Sequence, residues 1–189
     1  MLKIRTFIAI EIDEPVREKI AALQNELKKT NEPVRWVNPK NIHLTLKFLG
    51  EVDEAIIESI SECINNVAEN FSSFSFAVKG VGVFPNFKRP RVLWTGIENG
   101  SGELVKMASE ISEQLNECGI AKERRPLKPH LTIARVKSRL STKFLEKIKG
   151  FEFDGGEVIA NQIVIMRSEL KSAGAVYSPF KKSVLISIF

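Results

Sequence analysis

Histidine occurs only twice in this 189-residue sequence, and both histidines open the same short pattern. His43–Leu44–Thr45–Leu46 and His130–Leu131–Thr132–Ile133 each read histidine, leucine, threonine, aliphatic. Average composition would place both histidines in that pattern about once in tens of thousands of chains. In a strand, successive side chains point to opposite faces, so each histidine shares a face with the threonine two places on, their Cα atoms roughly 6.5–7 Å apart. One phosphate spans that gap. An imidazole with an ordinary pKa of about 6.5 gives or takes a proton near neutrality, and a threonine hydroxyl donates to a non-bridging oxygen. Two imidazoles on opposite sides of one phosphorus would divide an in-line displacement between a proton donor and a proton acceptor. A single strand histidine is more often structural than catalytic. Here the structural explanation has to account for a duplicated tetrapeptide whose polar pair faces away from the apolar Leu44, Leu46, Leu131 and Ile133.

The elements that must carry these motifs read as one pattern used twice. The first copy predicts a strand over Lys3–Ile12 with Asp13 as helix cap and Pro15 in the first turn. A helix then carries Val16, Ile20, Leu23 and Leu27 on one face. An extended piece at Arg35–Val37 precedes a strand over Ile42–Leu49, ended by Gly50. Asp53 caps a helix burying Ile56, Ile57, Ile60, Ile64 and Val67, and a strand over Phe74–Val83 follows. The second copy has a strand over Val92–Ile97, a helix striped by Leu104, Ala108, Ile111 and Leu115 and stopped at Gly119, and a strand over His130–Val136. Ser141 opens a short helix with Phe144, Leu145 and Ile148; strands around Glu157–Met166 and Val176–Phe189, with a turn near Ser172–Gly174, complete it. Ile10 lies 33 positions before His43, and Ile97 lies 33 before His130. This spacing predicts an internal duplication, with halves of roughly 1–90 and 91–189 paired about a pseudo-twofold axis so that the two histidine strands face each other across a groove. No Pro-, Gly- or Ser-rich linker separates the halves, so residues 1–189 are expected to form a single domain with two lobes.

The paired motifs resemble the signatures of the 2H phosphoesterase superfamily. The wider context resembles its LigT-like branch, the RNA 2′,3′-cyclic phosphodiesterases and 2′-5′ RNA ligases: Arg35–Trp36–Val37, His43 through Gly50, Gly82–Val83–Phe84–Pro85, His130 through Arg135, and Ser168–Glu169–Leu170 with Gly174 through Tyr177. The resemblance covers nearly the whole chain. It implies an α+β fold of two pseudo-symmetric lobes with antiparallel sheets lining a central cleft. It also implies opening of a 2′,3′-cyclic phosphate on RNA to leave a 2′-phosphomonoester, without metal or cofactor, with His43 as proton donor and His130 as proton acceptor. Thr45 and Thr132 would hold the phosphate, helped by Arg135. The residues themselves leave the division of labour between the two histidines open. Strict alternation turns Arg135 away from His130, so a bulge or the strand end must re-aim it. Phe48 stands at the corresponding place in the first motif.

The remaining features bound the reading. A net charge of +5 suits a polyanionic partner. Basic residues gather at Lys88–Arg89–Arg91 and at Lys122–Arg124–Arg125–Lys128, the second running into His130; Arg124, Arg125 and Lys128 are candidate RNA contacts, and Trp36 and Phe84 candidate stacking platforms. Cys63 and Cys118 are expected as separate, reduced core thiols. No metal-ligand spacing, P-loop, dinucleotide fingerprint or nucleophile elbow is present. The absence of an export signal or membrane-length apolar run points to the cytoplasm. The expected partner is RNA with 2′,3′-cyclic phosphate ends, tRNA fragments among them, and the expected state is a monomer. Two alternatives remain: an ATP-independent 2′-5′ RNA ligase, and a non-catalytic RNA-binding module.

Overall fold

A computed structural model describes residues 2–171 and 174–187. Its elements run β1 (Lys3–Glu11), α1 (Glu14–Lys28), β2 (Val34–Trp36), β3 (His43–Asp53), α2 (Ile57–Ala68), β4 (Phe74–Phe84), β5 (Val92–Glu98), α3 (Ser101–Glu117), β6 (His130–Val136), α4 (Thr142–Lys149), β7 (Asp154–Ala160), β8 (Gln162–Lys171) and β9 (Gly174–Val184). The helices follow their apolar stripes. α1 starts after Asp13 with Pro15 in its first turn and buries Val16, Ile20, Leu23 and Leu27; α3 buries Leu104, Ala108, Ile111 and Leu115. Residues 172 and 173, where the last turn is expected, and residues 188 and 189 lie outside the described part.

The strands join in the order β7-β4-β5-β6-β3-β1-β8-β9, with β2 on the flank of β6, and every pairing between named strands is antiparallel. The order is that of two four-stranded walls, β3-β1-β8-β9 and β6-β5-β4-β7, meeting at β3 and β6. The expected α+β architecture of two related lobes is therefore present, with an exchange that the repeat did not reveal. β4, from the first half of the chain, lies in the wall of β5 and β6, and β8 and β9, from the second half, lie in the wall of β1 and β3. The stretch expected as one strand over Glu157–Met166 is two strands in opposite walls, parted at Asn161. The burial pattern marks that break: Val158 and Ala160 are buried on even positions, whereas Ile163, Val164, Ile165 and Met166 are buried in succession because β8 is covered on both faces.

Three further expectations need correction. Gly50 does not end β3; it takes a positive φ of 73° and lets the strand continue to Asp53 past an irregularity at Leu49. Asp53 caps a short 3₁₀ turn, Glu54–Ile56, before α2, so Ile56 is only half-buried. The equal spacing of 33 residues is not a strand register, because Glu11 pairs with His43 and Gly96 with His130, giving intervals of 32 and 34. The cysteines also differ from expectation. α2 and α3 pack side by side, and the sulfurs of Cys63 and Cys118 are joined between them, both residues half-buried. Their Cα atoms are 7.8 Å apart, above the usual range for such a bond. The 55 residues between them in sequence conceal this proximity.

Gly82 holds the wall next to His130 in shape. It pairs with Trp94 across β4 and β5, and a Cβ at Gly82 would lie 2.3 Å from the indole. The space lets Trp94 pack on Phe84 at 5.0 Å between ring centroids, and Phe84 meets the His130 ring edge-on at 4.9 Å. Gly82→Ala is expected to cost about 1–3 kcal/mol by overpacking. The shift would appear in the urea unfolding midpoint, and an unchanged midpoint would show that Trp94 has room to move.

Candidate active site

The two histidine strands touch at one point. Leu44 on β3 pairs with Leu131 on β6, and both leucines are fully buried. Counting outward from an antiparallel pair, His43 lies toward Thr132 and Thr45 toward His130, all four on the face opposite the leucines. They line one cleft of about 1100 Å³ together with Arg135, Phe84, Arg124, Arg125 and Lys128. Of the sequence-expected site residues, Trp36 alone is placed elsewhere. It packs half-buried against the core on β2, with the Lys28 ammonium 5.9 Å from its ring centroid. The first basic cluster, Lys88–Arg89–Arg91, also does not line the cleft, whereas all four cations of the second do.

Arg135 reaches the cleft because of a bulge. Leu93 pairs with Ala134 and Trp94 with Thr132, leaving Ile133 as the extra residue on β6; Ile133 and Ala134 are buried in succession and Arg135 is turned outward. The carbonyl of Ile133, freed from the ladder, accepts from the Gln24 side chain of α1 at 2.9 Å and from Val37 N at 3.0 Å. β3 repeats the device. Ile8 pairs with Lys47 and Ala9 with Thr45, so Leu46 is the extra residue, Lys47 is buried and Phe48 emerges. Gln24 was legible only as a polar residue in an apolar stripe.

Both imidazoles are held alike. His43 Nδ1 donates to the Asn41 carbonyl and His130 Nδ1 to the Lys128 carbonyl, each at 2.7 Å and two residues back. A carbonyl only accepts, so Nδ1 carries a hydrogen in both rings and Nε2 is the nitrogen that exchanges protons. The settings differ. The His43 ring stacks on Phe7 at 4.6 Å and meets Tyr177 edge-on at 5.2 Å. Arg17 ties down the turn that supplies the Asn41 carbonyl, donating to the Pro39, Lys40 and Ile12 carbonyls, each at 3.0 Å, while its Nε pairs with Glu14. The Asn41 side chain in turn donates to the Ala175 carbonyl at 2.8 Å. Phe7, Arg17 and Asn41 carry no signal of such roles in the sequence, and Tyr177 stands there only as part of the wider resemblance, because each acts through a long-range contact.

Burial lowers the pKa of both histidines, against the carbonyl each ring donates to. His43 is brought down to about 4, with Arg17 adding a smaller push; His130 is lowered in the same direction, with Arg135 contributing. Both rings are thus neutral near pH 7 when the cleft holds no anion. A phosphate lying between them would favour their charged forms and raise both values. Beneath the cleft, the buried Lys47 ammonium donates to the Ala121 carbonyl at 2.8 Å and to Ser112 Oγ at 3.3 Å, anchoring the loop that carries Arg124, Arg125 and Lys128. Desolvation lowers its pKa, partly offset by Glu123. Among the described residues, no group of three or more His, Cys, Asp or Glu side chains is placed to share a metal ion.

Known proteins resemble this chain along almost its whole length. The model of the LigT like Phosphoesterase family matches residues 10–94 and 97–177. A Thermotoga maritima protein named RNA 2′,3′-cyclic phosphodiesterase is 39% identical over 173 residues, covering 92% of this chain and 91% of its own. The Methanocaldococcus jannaschii protein of the same name is 38% identical over 182 residues, covering 94% and 99%. Among solved structures, a Thermus thermophilus protein superposes with a TM-score of 0.80 at 27% identity, covering 97% of this chain and 98% of its own. Escherichia coli LigT, crystallised with 3′-AMP, gives a TM-score of 0.80 at 24% identity, covering 97% and 99%, a likeness of fold.

With only two histidines in the chain, imidazole NMR resolves each titration directly. His43 is expected to titrate near pH 4 and His130 below 6.5. Arg17→Met should raise the His43 value and leave His130 in place. Because the folded pKa of His43 lies below its unfolded value, its contribution to stability is complete above about pH 6.5 and is lost as pH falls from there toward 4. A His43 titration at 6.5 or above would contradict the buried ring described here.

Proposed function

The chain belongs to the LigT-like phosphoesterase family, and from that premise we propose that it hydrolyses 2′,3′-cyclic phosphate ends of RNA to 2′-phosphomonoesters by metal-independent acid–base catalysis. The observation that carries the reading is the pair of identically tethered imidazoles whose free Nε2 atoms belong to one cleft. His130 Nε2 takes a proton from the attacking water as its oxygen bonds to phosphorus. The bond from phosphorus to O3′ breaks, and His43 Nε2 delivers a proton to that oxygen. Thr45 and Thr132 donate to the non-bridging oxygens, and Arg135 offsets the charge that gathers on them. Giving His43 the donor role suits its setting. A ring whose pKa is pressed down by burial becomes a strong acid once the substrate anion has recharged it.

The same reading takes residues 1–189 as a single internally duplicated unit, supported by one apolar core that draws on both halves. It takes the protein as a cytoplasmic monomer acting on RNA ends, tRNA fragments among them. Among the described residues, no helix is long and apolar enough to cross a membrane. The cationic wall of Arg124, Arg125 and Lys128 suits a polyanionic chain leading to the site.

The test is hydrolysis of a 2′,3′-cyclic nucleotide in EDTA. His43→Ala and His130→Ala are each expected to lower kcat by about 10²–10⁴. Full activity in both variants would overturn the mechanism, and loss of wild-type activity in EDTA would overturn its independence from metal. The pH profile of kcat/KM reports the free protein, so its bell should centre on the acid side of 6.5. The bell of kcat should lie at higher pH, because bound phosphate raises both imidazoles. Supplying RNA with a 5′-hydroxyl end in the same assay separates hydrolysis from 2′-5′ joining by product.

A further inference from the structure

Lys47 borders the cleft and has no part in the proton transfers described above. It is 3% exposed, and an ammonium is costly to bury unless its protons find acceptors. It stands one place after the bulged Leu46 on β3, where Ala134 follows the bulged Ile133 on β6. Ala134 offers no polar side-chain atom. Lys47 instead carries a charge on a four-carbon stem from β3 to α3 and to the loop that follows it. Its Nζ donates to Ser112 Oγ at 3.3 Å and to the Ala121 carbonyl at 2.8 Å. Ser112 Oγ also accepts from the backbone N–H of Glu123 at 2.9 Å. The acceptors of the buried charge are thus the start of that loop and the helix residue that grips it.

The loop from Gly119 to Pro129 has no helix or strand of its own, and Ala121 through Pro126 are exposed. It nevertheless brings Arg124, Arg125 and Lys128 to the cleft. Lys128 is fixed from the far end, where β6 begins and the His130 ring holds its carbonyl. Arg124 and Arg125 lie nearer the start, which the Lys47 and Ser112 contacts fix. Without those contacts the two guanidinium groups would range over many positions, and a phosphate contact needs one. Lys47 cannot itself meet a phosphate while it is buried on these partners. Resting on the phosphodiesterase reading above, we propose that Lys47 is a positioning residue for the RNA chain, holding the loop so that Arg124 and Arg125 meet the phosphates that precede the cyclic end. The reacting phosphate, set between the imidazoles and threonines, makes no use of it. Lys47 therefore favours an oligonucleotide over a mononucleotide.

The experiment compares a 2′,3′-cyclic mononucleotide with a short oligoribonucleotide ending in the same cyclic nucleotide. The readout is the ratio of their kcat/KM values and its dependence on salt. With three phosphate contacts at about 0.7 in slope each, the wild-type preference for the oligonucleotide should fall about 10- to 20-fold between about 50 and about 200 mM salt. Lys47→Met keeps a buried stem and removes the charge. It should lower the preference at low salt and, with the Lys128 contact left, reduce the fall to about 3-fold. Arg124→Gln/Arg125→Gln should match it, and adding Lys47→Met to that pair should cause no further loss. Ser112→Ala loosens the same loop with the ammonium in place and should move both readouts in the same direction; it decides the matter if Lys47→Met does not fold. An unchanged salt dependence in the folded variant, or a wild-type preference near or below one at low salt, overturns the inference and leaves the phosphodiesterase reading standing. If wild-type protein turns over neither substrate, both fall. A general loss of packing lowers the two rates together and leaves their ratio and its salt dependence intact.

Discussion

The contact between Leu44 and Leu131 governs the rest of the molecule. Among the described residues it is the one ladder pair between β3 and β6, the strands at which the two walls of the sheet meet. Both side chains are at zero exposure, so the contact is anchored in the core. In an antiparallel pair, alternation then leaves no choice. With leucines inward, the residues on either side of each must face outward, and outward at this place means into the space between the walls. His43, Thr45, His130 and Thr132 converge because each flanks one of two leucines that pair. The motif is therefore a statement about packing as well as about chemistry. The leucine between histidine and threonine sets their position.

That logic explains why the centre of the site was legible in sequence and its rim was not. Alternation from a buried leucine is a local rule, and it correctly gave the shared face of His43 with Thr45 and of His130 with Thr132. The same rule turned Arg135 the wrong way, and the conflict was informative, since only a bulge resolves it. The bulge at Ile133 depends on Gln24 of α1 and on Val37, more than ninety residues earlier in the chain, to satisfy the carbonyl it releases. No local pattern announces such a partner. The exchange of β4 and β8 between the walls was hidden for the same reason. Strand pairing is long-range, and the apolar run through Asn161 reads as continuous until burial on both faces of β8 breaks its phase. Arg17 and Tyr177 belong with these. One looks like a solvated helix residue and the other a strand aromatic, and only the tertiary fold brings them to the turn and ring of His43.

Burial and hydrogen bonding act on the imidazoles in opposite directions, and the balance is the useful quantity. Each ring donates through Nδ1 to a backbone carbonyl, which fixes its tautomer and favours the charged form. Removal from water favours the neutral form and wins at both sites. A free protein with two neutral rings accepts protons only when an anion arrives. An anion in the cleft would thus couple protonation to occupancy. His43 would be recharged from a starting value of about 4. The cations around the cleft work against that recharging, since Arg17 and Arg135 each depress the ring nearest to them.

Strict twofold symmetry would be a defect in a site of this kind. Two equivalent walls would bind a cyclic phosphodiester equally well in either sense, and only one sense sets the attacking water and the leaving oxygen against the correct imidazoles. The histidines, threonines, carbonyl tethers and bulges repeat on both walls. Direction has to come from positions at which the two strands differ. Phe48 and Arg135 are the first such pair outward from the motif, each following a bulge of the same kind. A phenyl ring on one strand and a guanidinium on the other break the equivalence of the two sides. The bulge that turns each of them into the cleft is therefore what makes the two sides of the cleft unlike.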